Sequence, residues 1–138
     1  MIPFHVQFRS GVAAQHQVVY AAKKAVATGV LRPGDRFPSV RSLSHALKIN
    51  PNTAQKVVAN LKQAGILAVR PGIGTIVADT ALGSPEVRSE LLEQVERLVV
   101  NACLAGLSRD ELHEAVEEHW QRLSPPHGET DGVLGNAS

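Results

Sequence analysis

Apolar residues recur at helical spacing through most of the chain and give way to β-prone runs between residues 66 and 78. From Gly11 to Thr28, Val18, Val19, Ala22, Ala25 and Val26 form one apolar stripe, which predicts a helix ended by Gly29. "LRPGDRFPS" follows with a Pro33–Gly34 turn signal. Ser39 then stands as the cap of a short helix whose Val40, Leu43 and Leu47 share a face. The next helix opens at "NPNT". Asn50 is a favoured N-cap, and Pro51 takes the first helical position, where its missing N–H costs nothing. Val57, Leu61 and Ala64 line one face of that helix before Gly65 stops it.

"ILAVR" (66–70) and "GTIVA" (74–78), joined across Pro71–Gly72–Ile73, predict a β-hairpin with a tight tip. The order helix, short helix, helix, hairpin, with only a few residues between the second and third helices, fits a helix-turn-helix followed by a β wing. Ser84–Pro85 repeats the cap-then-proline device and opens a helix to about Leu104, ended by Gly106. Its stripe is Leu91, Val95, Leu98 and Ala102, with Leu92 and Val99 beside it. Ser108 and Glu111 form a capping box for a last helix reaching about Leu123, with Leu112, Val116, Trp120 and Leu123 largely on one side. The expected fold is mainly α with a small β-hairpin. It divides into a winged helix-turn-helix domain (1–79), a two-helix module (80–123) and a turn-rich tail (124–138) with little to bury.

Charge sharpens this division. Residues 1–79 hold ten Lys/Arg against Asp35 and Asp79, a net of +8, whereas residues 80–138 hold four Arg against eleven acids, a net of −7. The first part suits a polyanion and the second would be repelled by one. With 138 residues and few aromatics, the core should consist mainly of Val, Leu, Ile and Ala. No window approaches the roughly 18 consecutive apolar residues of a membrane span, and the first ten residues lack a signal-peptide core. The single cysteine, Cys103, excludes an intramolecular disulfide and suits a reducing cytoplasm, where it is expected to be a buried small apolar residue.

Residues 27–78 resemble the DNA-binding domain of the GntR family of bacterial transcription regulators. The matching segments are "G-x-L-x-P-G-D-x-F-P-S-V-R-S-L" (29–43), "L-K-I-N-P-N-T" (47–53), "L-K-Q-A-G-I-L" (61–67) and "G-I-G-T-I-V" (72–77). Ala13–Ala14–Gln15 departs from the family's usual entry to the first helix. The short acidic remainder is similar to the YtrA-like branch, as is Asn-Pro-Asn-Thr at 50–53. The resemblance implies a sequence-specific repressor with a dimerising two-helix module. Other branches often carry arginine where Pro51 stands, so no base contact is transferred to that position.

The chemistry of the third helix points the same way. Its N-terminal turn offers unpaired N–H groups and a positive dipole end, both favourable to phosphate. Asn52 and Thr53 are the first candidates for base edges, Gln55 the next and Lys56 a phosphate contact, with Asn50 acting mainly as the cap. Arg41 matches, by resemblance, the family's DNA-contacting arginine, and Ser39 can donate to phosphate while capping. Arg70 and Gly72 mark the wing tip, where a small backbone beside a cation can enter the minor groove; Gly72 and Gly74 can equally serve the turn alone.

The expected partners are an inverted-repeat operator duplex and a second copy of the chain. The apolar stripes Leu91, Leu92, Val95, Leu98, Val99 and Ala102, with Leu112, Val116, Trp120 and Leu123, are the dimerisation candidates. Packing onto their own winged domain is the other use for them. An unidentified small-molecule effector stays open as a further partner, with a crevice at the dimer seam as its place. No cofactor or metal is expected. His113 and His119 stand six apart, on different helical faces, and "HEAVEEH" is not a zinc-binding H-E-x-x-H. "PGIGT" lacks the lysine and length of a phosphate loop, so an enzyme is the weaker reading. A non-specific architectural DNA protein would need only the basic half, and competition with unrelated DNA separates it from a sequence reader.

Overall fold

Five helices and one hairpin follow one another in the computed structural model, which describes residues 2–123. The elements are α1 (Ala14–Ala27), α2 (Val40–Leu47), α3 (Pro51–Gln63), β1 (Leu67–Arg70), β2 (Gly74–Val77), α4 (Pro85–Leu104) and α5 (Arg109–Leu123). The expected tail at 124–138 lies outside the described residues. Residues 1–82 and those from Gly83 onward are two separate compact units.

In the first unit the predicted stripes become the core. All five stripe residues of α1 are buried. Leu43 of α2 is fully covered, with Val40 and Leu47 packed at the core's margin. Ala54, Val57, Val58 and Leu61 bury the inner face of α3, which packs against α1, α2 and β1. The α1 helix is shorter at its start than the periodicity from Gly11 predicts. Residues 11–13 instead approach it as a turn, which the Gln17 side chain holds: its Nε2 donates to the carbonyls of Arg9 (3.0 Å) and Val12 (2.8 Å).

Two features of this unit were not expected. The stretch "GDRF" (34–37) pairs with the edge of β2 that faces away from β1. Gly34 N donates to Val77 O at 2.8 Å, Val77 N to Asp35 O at 2.8 Å and Phe37 N to Thr75 O at 2.9 Å. A bridge between Arg36 and Ile76 lies among them. Locally the proline–glycine signal dominates, and it is correct for the turn: Gly34 has φ +92° and Asp35 Oδ2 accepts from Arg32 N at 2.9 Å. The pairing with a strand forty residues later is long-range and leaves no local trace. The second feature is the N-terminal arm, whose Phe4 is buried against Phe37, with Ile2 and Val6 partly covered.

The hairpin is antiparallel, with Leu67 opposite Val77 and Arg70 opposite Gly74. Its base (Leu67, Ile76, Val77) is buried, and its tip is exposed.

In the second unit α4, 20 residues long, spans about 30 Å. Ser84 Oγ accepts from Val87 N at 3.4 Å and donates to Glu86 Oε2 at 2.9 Å. At α5 the capping box is complete: Glu111 N donates to Ser108 Oγ (3.1 Å) and Ser108 N to Glu111 Oε1 (2.9 Å). These bonds hold both carboxyls below the usual carboxylate range. For Glu111 the Ser108 amide is the larger cause, with the Ser108 side chain second. For Glu86 a backbone amide comes first, then the Ser84 hydroxyl. Beyond their connecting turn, α4 and α5 hardly touch. Leu91, Leu92, Val95, Leu98, Val99, Val116, Trp120 and Leu123 are therefore all exposed, and Leu112 is half-buried. Ala102 alone of the stripe is covered by its own unit, beneath the turn in which Leu107 N donates to Ala102 O. Cys103 corrects the expectation of burial: it is exposed, because α4 has no packing partner on that side.

Candidate nucleic-acid interface

The mouth of α3 is fixed by a local bond. Asn50 Oδ1 accepts from Asn52 N at 2.7 Å, so Asn50 spends its side-chain oxygen on the cap. Pro51 fills the first helical position without forfeiting a donor. The side chains of Asn52, Gln55 and Lys56 are exposed, and that of Thr53 is half-buried. Among the described residues none of these four makes a side-chain hydrogen bond or ion pair. The reason is geometric. Ala54, Val57, Val58 and Leu61 take the inward face of the helix and leave 52, 55 and 56 on the outward one.

The turn that joins α2 to α3 is equally specific. Lys48 adopts the left-handed conformation (φ 56°, ψ 45°), the only described residue other than glycine with positive φ. Ser44 braces it: its Oγ donates to Ile49 O at 2.7 Å, and Ile49 N donates to Ser44 O at 3.1 Å. A lysine where glycine or asparagine is usual adds a cation two residues before the N-cap of α3. Sequence reading passed over Lys48 because no local signal marks a lysine for this conformation.

Arg41 lies on the exposed face of α2 with no partner among the described residues. Beside it, Ser39 Oγ accepts from Ser42 N at 3.1 Å and donates to Ser42 Oγ at 3.0 Å. The two hydroxyls share one bond, which leaves one hydroxyl hydrogen of the pair for an outside acceptor at the exposed start of α2. Arg41, Ser42, His45 and Ala46 line one shallow depression of about 300 Å³.

At the wing, Ile73 N donates to Arg70 O at 3.0 Å, and Gly72 takes φ +81°, so the tight tip requires its glycine. Arg70 is less free than the α3 side chains, since its Nη2 stands 3.8 Å from Asp79 Oδ2. Both groups are largely exposed, so the pair is weak and easily exchanged for a phosphate. It is the one ion pair among the described residues of this unit, and the side chains of the other nine Lys/Arg remain without a carboxylate partner there.

Residues 14–77 match the model of the bacterial regulatory proteins, gntR family. The HTH-type transcriptional repressor YtrA of Bacillus subtilis (strain 168) is 32% identical over 112 residues, which cover 80% of this chain and 86% of that protein. The chain belongs to the gntR family. Its fold is that of a transcriptional antiterminator from Listeria monocytogenes EGD-e, at 25% identity and a TM-score of 0.76, covering 87% of this chain and 91% of the other. YtrA from Sulfolobus acidocaldarius, a GntR-family transcription factor, shares the fold at 20% identity and a TM-score of 0.51, covering 87% and 98%. A match over 80% of the chain reaches past residue 82, so the likeness to the Bacillus YtrA includes the helical module as well as the winged domain. As a gntR-family member the protein is a DNA-binding transcription regulator.

Proposed function

We propose that the protein is a homodimeric repressor, acting in the cytoplasm and not as an enzyme, that reads an inverted-repeat operator through the N-terminal turn of α3. What carries this reading is the set of unpartnered side chains at that turn, Asn52, Thr53, Gln55 and Lys56, beside the free Arg41 in a unit of net charge +8. Asn52 and Gln55 offer the donor–acceptor pairs that match adenine, and Thr53 a methyl and hydroxyl for thymine or phosphate. Lys56, Ser42 and Lys48 supply backbone contacts that set register without sequence information. Gly72 and Arg70 bring the wing tip to the neighbouring minor groove.

The exposed stripes of α4 and α5 supply the second half of the reading. Eight large apolar side chains of these stripes stand uncovered on two helices that hardly pack on each other, and a second copy covers them. Isologous pairing turns one reading helix into two, related by a twofold axis and addressed to half-sites about one DNA turn apart. The acidic character of this module keeps it off the duplex and directs the polyanion to the winged domain.

Selection of bound sequences from a random duplex pool at physiological salt tests the whole reading. The expected product is an enriched motif with twofold symmetry. A pool without enrichment, or one enriched for an asymmetric site, would overturn it.

A further inference from the structure

On the side of α1 away from α3, the N-terminal arm and the helix enclose a groove of about 360 Å³, near the lower end of the size range of small-molecule sites. Its walls include His5 and Arg9 from the arm and Gln17, Tyr20, Ala21 and Lys24 from α1. The four helix residues share one face. At 100° per residue that face is turned about 150° from the buried stripe of Val18, Val19, Ala22, Ala25 and Val26, through which α1 meets α3.

The walls have a consistent chemistry. Three basic side chains line the groove and no carboxylate does. Among the described residues, the side chains of His5, Arg9 and Lys24 have no hydrogen bond or ion pair, and the Tyr20 hydroxyl has none. Tyr20 is 63% exposed, so its aromatic surface is open to a ligand. The arm itself is held in place. Phe4 is anchored in the core on one side of the groove, and on the other Gln17 accepts from Arg9 N at 2.7 Å while donating to Arg9 O. The backbone of the arm is thus in position before anything binds, which spares a ligand the cost of ordering the arm itself.

From this geometry we infer that the arm groove is a binding site for a small aromatic phosphate ester of mononucleotide size, its ring lying on Tyr20 and its phosphate between Arg9 and Lys24. Arginine matches a phosphate with a bidentate fork, lysine adds a point charge, and the tyrosine face accepts a flat ring. The groove faces away from the packing surface of α3, which separates it from the duplex-reading turn. The inference does not rest on the reading of α3. The nearest competing source of the same chemistry is a phosphate of the DNA backbone.

Tyr20 is the only tyrosine, so 3-fluorotyrosine labelling of the full chain gives one fluorine resonance at the site. The titrants are AMP, adenosine and inorganic phosphate at constant ionic strength, with duplex DNA as a separate arm. The expected result is a saturable shift with AMP and at least tenfold weaker responses to adenosine and to phosphate alone. Arg9→Gln/Lys24→Gln should weaken AMP binding at least tenfold at an unchanged melting temperature. Lys24→Gln alone, at an exposed helical position, serves the same purpose should the double variant melt lower. An unshifted or unsaturable resonance, or an AMP response that the substitutions leave intact, would overturn the inference. A shift produced by duplex DNA but not by AMP would overturn it too, and would assign the groove to the DNA backbone.

Discussion

Phe4 and Phe37 stack with ring centroids 5.7 Å apart and an interplanar angle of 19°. The contact ties the N-terminal arm to the segment whose Phe37 N–H bonds Thr75 of the wing, two residues before the Ser39 cap of α2. Arm, wing and helix-turn-helix therefore meet at one aromatic pair. Phe4→Ala should lower stability by about 3 kcal/mol, at the low end for a buried phenylalanine since the ring reaches the surface on one side. Urea unfolding of the two proteins measures it. A change below about 1 kcal/mol would mean that the arm is dispensable for the core.

On the proposed reading of the operator, Asn52 and Thr53 meet base edges, and Arg41 and Lys56 contribute charge. Asn52→Ala or Thr53→Ala should relax discrimination at a single base pair by about 1–3 kcal/mol, while Arg41→Ala weakens specific binding strongly. Lys56→Ala should act evenly across sequences and reduce the salt slope by roughly one. Binding titrations on the selected operator and on single-base variants distinguish these patterns, and parental behaviour in all four would mean that α3 is not the reading helix.

Leu98 stands near the middle of the exposed α4 stripe. If the proposed dimer forms at micromolar concentration, Leu98→Glu should convert it into a monomer in sedimentation equilibrium and leave the melting of the winged unit unchanged, because no core residue of that unit is touched. A parent that sediments as a monomer at the same concentration rules out the dimer.

Lys48 holds a left-handed conformation that is costly for any side chain with a Cβ, by roughly 1–2 kcal/mol. Glycine removes that strain but adds about 0.5–1 kcal/mol of unfolded-state entropy. Lys48→Gly should therefore raise stability by about 0.5–1 kcal/mol while weakening duplex binding at low salt through the lost cation. Opposite signs in denaturation and binding experiments are the test.

Glu111 accepts from the Ser108 amide, and its carboxyl is held below the ordinary range by that bond first. A depressed folded-state value means that the cap's contribution is fully present above the unfolded carboxyl value. It is lost as pH falls through the folded one. The Ser108 amide resonance should follow an acid titration with its midpoint below that of an ordinary glutamate, and Glu111→Gln should abolish that titration. A midpoint at the ordinary value would mean that the reciprocal bond is not held in solution.

The elements themselves were legible because their causes are local. Ser39, Asn50, Ser84 and Ser108 announce helix starts within three residues of themselves, and Pro51 and Pro85 confirm them. The α3 stripe marks its buried face and, by elimination, the outward one on which Asn52, Gln55 and Lys56 lie. The charge division between the two halves is likewise a property of composition.

Tertiary structure alone decided three further matters. Residues 34–37 joined β2 and Phe4 found Phe37, both through contacts more than thirty residues apart that leave no periodicity in either partner. Lys48 was forced left-handed by the geometry of the turn between two packed helices, against its own preference. Cys103 and the stripes of α4 and α5 stayed exposed because an apolar pattern records only that a face seeks cover. Whether its own chain supplies that cover depends on how the helices pack, and here they hardly touch.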